Sequence, residues 1–135
     1  MNYLIDSDVI IDFQNLKEPG ASYFINATKE ESFISVISYS EIVFGIKSHP
    51  GFSEKIRVFD NLLKDLEIEI LGVNKKEILE FTDLKLDLKK VSNLIPDFDL
   101  IIAASAIANN LALVTRNTKH FFRVPHLKLF SQKSS

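Results

Sequence analysis

The chain has 135 residues, 46% of them apolar, and a net charge of -2, which suits one domain with a single core and leaves no room for two. With 16 basic against 18 acidic side chains it does not fit a protein that coats nucleic acid. The lack of cysteine excludes a disulfide scaffold, a thiolate metal site and a cysteine nucleophile. The longest nearly apolar run, Leu100 to Ala108, is too short to span a bilayer. Asp6 precedes any apolar stretch that could act as a signal peptide, so a soluble cytoplasmic protein with no membrane association is expected.

Asn2 to Ile5 reads as a short buried strand that ends at Asp6. Val9, Ile10, Phe13 and Leu16 then fall at helical spacing over 8–16, and Pro19-Gly20 breaks that helix before a second short one over 21–28. The β-rich run 33–37 predicts a strand, and Ser38 opens a helix through Ile46. Ile56, Phe59, Leu63 and Leu66 share one face of a helix over 52–66, followed by a strand over 68–71. A long amphipathic helix follows over 74–92, with Ile78, Phe81, Leu84, Leu88 and Val91 aligned. After Pro96, 99–109 is apolar on nearly every side and predicts a buried helix; 111–115 and 127–130 read as closing strands. The expected unit is 1–130, with a short tail over 131–135. Strands alternating with helices imply an α/β fold with a mainly parallel sheet, whose sites form at the carboxyl ends of the strands.

Polar residues recur at those ends. Asp6-Ser7-Asp8 follows the first strand, Glu41 falls in the first turn after the second, Asp97-Phe98-Asp99 opens the buried helix, and Thr115-Arg116-Asn117 follows a late strand. Carboxylates gathered at one edge repel one another unless a cation or protons join them, and hard oxygen ligands favour Mg²⁺ or Mn²⁺. Each residue also fits a structural role. Asp6 and Asp8 suit helix N-caps, Ser38-x-x-Glu41 matches a capping box, Asp97 and Asp99 suit the start of the buried helix, and Asn117 suits a turn.

Four blocks carry a resemblance: Tyr3-Leu-Ile-Asp6-Ser-Asp-Val-Ile-Ile11, Ile37-Ser-Tyr-Ser-Glu41-Ile-Val-Phe-Gly45, Asp99-Leu-Ile-Ile-Ala-Ala104 and Leu113-Val-Thr-Arg-Asn117-Thr-Lys-His-Phe121. Together, and in this order, they resemble the PIN-domain ribonucleases, and within them the VapC-type toxins of toxin–antitoxin pairs. The resemblance covers nearly the whole chain. It implies a three-layer α/β/α fold and a Mg²⁺- or Mn²⁺-dependent endoribonuclease that leaves 5′-phosphate and 3′-hydroxyl ends. It implies a structured RNA such as tRNA or rRNA as substrate, a homodimer, and a small VapB-type antitoxin that occupies the active site. Asp6, Glu41 and Asp99 fall on the three central acidic positions, Asn117 on the fourth polar one, Thr115 on the threonine that orients the site, and Ser7 where Thr or Ser is usual. Asp8 stands where Asn or Ser is usual, and His120 where many relatives carry Asp, so a carboxylate for a second metal is missing there. Asp97 is an additional candidate ligand.

RNA binding draws on phosphate contacts, which a net charge of -2 must supply locally. Arg116, Lys119, His120 and Arg123 follow the last site strand, and Arg116 is the expected first RNA contact. Lys47, Lys75, Lys76, Lys85, Lys89 and Lys90 lie on helices that could rim a groove. Other readings are a haloacid-dehalogenase-type phosphatase using Asp6 and Asp8, a receiver-like module, and a PIN fold that binds without turnover.

Overall fold

The computed structural model describes residues 1–131; 132–135, most of the expected tail, lie outside the described residues. Five short strands, β1 (Tyr3–Ile5), β2 (Ser32–Ser35), β3 (Glu69–Leu71), β4 (Ala112–Val114) and β5 (Lys128–Leu129), form one sheet in the order β3-β2-β1-β4-β5, with every pair parallel. Parallel strands need crossovers, and helices supply them: α1 (Ser7–Gln14), α2 (Gly20–Ala27), α3 (Val36–Lys47), α4 (Phe52–Asp65), α5 (Lys75–Lys90), α6 (Asp97–Ala108) and α7 (Thr118–Phe121).

The side-chain period of two sends Leu4 and Leu113 to one face of the sheet and Ile5 and Val114 to the other, all fully buried. On the first face they meet Leu84 and Leu88 of α5, Leu100 and Ala104 of α6, and Phe121 of α7. On the second they meet Ile10 of α1, Phe24 of α2, Ile42 of α3 and Phe59 of α4. The molecule is thus the expected three-layer α/β/α arrangement. Its central strands are apolar throughout because both their faces are covered.

Two boundaries differ from the sequence reading. The run 33–37 does not stay extended: β2 stops at Ser35, whose hydroxyl accepts from the Ile37 amide at 3.1 Å and starts α3 at Val36. A cap beats the β preference of Val36 and Ile37. Ser38 is therefore inside the helix and buried, Glu41 lies in the second turn rather than the first, and no Ser38–Glu41 capping box forms. A capping box forms instead at α5, where the Glu77 carboxylate accepts from the Asn74 amide at 2.8 Å. The buried helix starts at Asp97, directly after Pro96, and no side chain caps it. Asp97 and Asp99 sit in its first turn, where the helix dipole favours negative charge.

Helix ends were poorly marked because several stop without glycine. α1, α4, α5 and α6 are followed by Leu16, Glu67, Ser92 and Asn110, each with φ between 54° and 57°. The next amide in each case reaches back to close the last turn, as Lys17 N–H does on the Asp12 carbonyl at 2.8 Å. A left-handed conformation costs a residue with a Cβ about 1–2 kcal/mol, and Leu16 is 87% exposed, so little packing offsets that cost. Leu16→Gly is expected to raise unfolding free energy by about 0.5–1 kcal/mol in urea titration, the larger unfolded-state entropy of glycine limiting the gain.

Candidate active site

The strand order sends the chain from β1 outward through β2 and β3, then back across to β4 and β5. The topological switch lies between β1 and β4, and the crevice at their carboxyl ends is where α/β sheets of this kind bind ligands. Asp6 follows the last residue of β1 and Thr115 the last residue of β4. Asp6 takes the N-cap role the sequence allowed and has a second polar partner as well. One carboxylate oxygen caps α1 by accepting from the Ser7 amide at 2.8 Å, and the other accepts from the Thr115 hydroxyl at 2.9 Å.

The other acidic groups gather around it. Asp8 Oδ2 accepts from the Arg116 amide at 3.1 Å and lies 3.4 Å from the Thr115 hydroxyl. Thr115 is the hub: its oxygen also takes the Asn117 amide at 3.0 Å. Glu41 reaches in from α3, close enough to Asp99 and Asp8 for both to repel its charge, with the Ser7 side chain partly opposing that. Asp99 comes from the first turn of α6, with His120 Nδ1 at 3.4 Å from its Oδ2; the same nitrogen is 3.1 Å from the Asn117 side-chain nitrogen. Bare, Nδ1 accepts from the Asn117 amide; protonated, it donates to Asp99.

Burial, with like charge added at Asp6 and Glu41, shifts the titrations in one direction. Burial, then the charge of Asp8, pushes the Asp6 carboxyl up to about 7, although Thr115 and the Ser7 amide oppose the shift. Asp8 is raised by burial against the opposing pull of Arg116. Glu41 is raised by burial, then by Asp99 and Asp8. Among the described residues, no three His, Asp or Glu side chains are already drawn tightly enough together to hold a metal ion. The donor set nonetheless fits a hard divalent cation. It is all oxygen, it carries excess negative charge, and Asp8 Oδ1 is buried with no hydrogen-bond partner.

Not every expected residue joins the cluster. Asp97 turns away and pairs with Lys85 of α5, Nζ to Oδ1 at 3.1 Å. That contact also engages Lys85, and Lys76 donates to the Asn109 side chain at 2.7 Å. Lys119 is exposed on α7 beside Thr118 and Phe122. Arg116, the expected first RNA contact, sets its guanidinium Nε 2.6 Å from Asp12 Oδ2 with 44% of its side chain exposed. Asp12 was missed by sequence reasoning. The available signal was a carboxylate one helical turn after Asp8, between Ile10 and Phe13 on the buried side of α1. An open cavity of about 430 Å³ adjoins the cluster, lined by Ile37, Ser40, Glu41, Phe44 and Phe98.

A family model described as the PIN domain matches residues 3–127. The chain is 34% identical over 129 residues to ribonuclease VapC1 of Methanocaldococcus jannaschii, spanning 93% of this chain and 83% of that protein. It is 32% identical over 133 residues to ribonuclease VapC2 of Rickettsia felis, spanning 96% of each. In three dimensions it resembles a chain of the crystal structure of VapBC2 from Rickettsia felis bound to a DNA fragment from their promoter. That match has a TM-score of 0.83 at 25% identity and covers 98% of this chain and all of that one.

The raised Asp6 carboxyl has a consequence for stability. It holds its proton more tightly folded than unfolded, so the metal-free fold loses stability as pH rises from the ordinary value of 3.8 to about 7 and carries the full penalty above that. Asp6→Asn removes the titration. In chelator, the wild-type melting temperature is expected to fall between pH 5 and pH 8, and the Asp6→Asn variant to melt higher than wild type at pH 8 in scanning calorimetry.

Proposed function

This chain belongs to the PIN domain family and, within it, to the VapC ribonucleases, and we propose that it is a divalent-metal-dependent endoribonuclease toxin acting in the cytoplasm. Family membership replaces the phosphatase and receiver-like readings. The observation that carries the proposal is the buried carboxylate of Asp6. It is pinned by Thr115 at the switch point of the sheet, with Asp8 beside it and Glu41 near enough to raise its titration. A fold tolerates such a concentration of like charge where a cation shares it.

Asp6, Glu41 and Asp99 are the proposed metal ligands and catalytic residues, with Asp8 and Asn117 in support. A bound Mg²⁺ or Mn²⁺ would polarise the scissile phosphate and lower the pKa of the attacking water. The chain's own residues do the rest. Thr115 fixes the rotamer of Asp6 by donating to it. One carboxylate of the cluster would take the proton of the water that attacks phosphorus in line; the P–O3′ bond breaks, and the departing 3′-oxygen takes a proton from solvent, giving a 5′-phosphate and a 3′-hydroxyl. His120 and Lys119 lie on α7, on the Asn117 side of the cluster, and are the proposed phosphate contacts.

The proposed substrate is structured RNA such as tRNA or rRNA, whose cleavage stops translation. The proposed partners are a second copy of the chain and a VapB-type antitoxin that covers the site. The similarity to a chain from a VapBC2 structure supports the latter. No helix of the described residues is long and apolar enough to cross a membrane.

The test is a comparison of wild type and Asp99→Asn on a structured RNA pool, with Mg²⁺, Mn²⁺ or chelator, with the cut ends mapped by sequencing. Wild type is expected to cut only with metal, and Asp99→Asn to lose about 100-fold or more of the rate. Equal cutting by the two proteins, or cutting in chelator, overturns the assignment. RNA binding without any metal-dependent cutting would favour the binding-only reading.

A further inference from the structure

Asp12 is a carboxylate 7% exposed on a helix that otherwise buries Val9 and Ile10, and the chemistry proposed above makes no use of it. A buried carboxylate is costly unless a cation faces it, and one does: Arg116 Nε at 2.6 Å. The contact is charge on charge rather than a well-aligned hydrogen bond, since Asp12 Oδ2 has no hydrogen-bond partner. From its other side Asp12 is closed off by the start of α2. A Cβ added to Gly20 would collide with the Asp12 carboxylate and its Cβ. The carboxylate therefore cannot swing away from Arg116 toward α2.

Arg116 grips α1 at two successive turns. Its side chain takes Asp12 and its backbone N–H takes Asp8 Oδ2 at 3.1 Å. Residues at i and i+4 stand one above the other on a helix, so the two grips are on one face. Thr115 and Asn117, the residues on either side of Arg116, are the hydroxyl that holds Asp6 and the amide side chain that reaches His120.

We propose that Asp12 is a positioning residue: it anchors the Arg116 guanidinium to α1 and so holds the Thr115-Arg116-Asn117 turn against Asp6 and Asp8. Arg116 then belongs to the scaffold of the site and is not a phosphate contact. The effect on turnover rests on the ribonuclease reading above; the anchoring itself does not.

The experiment uses the full chain as Asp12→Asn, Arg116→Gln and the double variant. Asp12→Asn keeps the side-chain shape beside Gly20, and Arg116 is 44% exposed, so the Arg116→Gln arm stands even where the buried change unfolds the protein. Deuterium uptake in chelator is the readout that needs no activity. Faster exchange at 115–117 in both variants, with α5 and α6 unchanged, is expected. On an RNA substrate each single variant is expected to lose about 10- to 100-fold in kcat, with KM within about twofold of wild type. The double variant is expected to be no worse than Arg116→Gln alone. Wild-type exchange at 115–117 in Asp12→Asn overturns the proposal. So does an Arg116→Gln variant that lowers RNA affinity and flattens its salt dependence while Asp12→Asn does not, because that is the signature of a phosphate contact. If wild type cuts no RNA, the ribonuclease reading falls, and the exchange result alone decides the anchoring.

Discussion

The organising constraint in this molecule is the repulsion among carboxylates at the carboxyl end of β1. Asp6 is buried, Asp8 is beside it, and Glu41 and Asp99 come from two further helices. An apolar core does not create such a cluster; it is held against its own electrostatics by the layers on either side of the sheet. The fixed donors nearby, Thr115 hydroxyl, Ser7 amide and Arg116 amide, each offset part of the cost by donating a hydrogen bond to a carboxylate oxygen. Burial first, and then the charge of Asp8, still leaves the Asp6 carboxyl with a raised proton affinity.

The same arrangement explains why the chain spends buried polar side chains at α1. Three acidic residues on this short segment do three different things. Asp6 caps the helix, Asp8 faces the Arg116 amide, and Asp12 faces the Arg116 guanidinium. The small residue Gly20 lets α2 lie close enough to seal the last of them. One basic residue thereby ties a loop after β4 to a helix after β1, and the net charge of -2 understates how much local compensation the fold contains.

The layers and the sheet were legible in the sequence because the strands β1 and β4 are apolar on both faces and α6 has no polar side. These patterns hold wherever tertiary burial is complete. The placing of Asp6 and Thr115 just past the ends of β1 and β4 was legible for the same reason. Boundaries set by a single hydroxyl were not: Ser35 and Ser38 are equally good caps on paper, and only packing decides that Ser38 is buried. Nor were contacts that depend on side-chain direction. Asp97 and Asp99 sit two residues apart on one helix, so they point about 200° apart, one to Lys85 and the other to His120. The pairing of Arg116 with Asp12 was not legible either, because nothing in a linear sequence reports that the two meet beyond the ends of β1 and β4.

The hydrogen bond between Thr115 and Asp6 joins residues 109 positions apart. During synthesis the chain emerges from its amino end, so Asp6, Glu41 and the α1–α4 layer are made well before β4 exists to pair with β1. Until Thr115 arrives, Asp6 lacks the donor that orients it and β1 lacks one of its two neighbours. On the ribonuclease reading, a nascent or truncated chain cannot assemble its cutting site. The long sequence separation that slows folding therefore also delays assembly of that site until nearly the whole domain has been made.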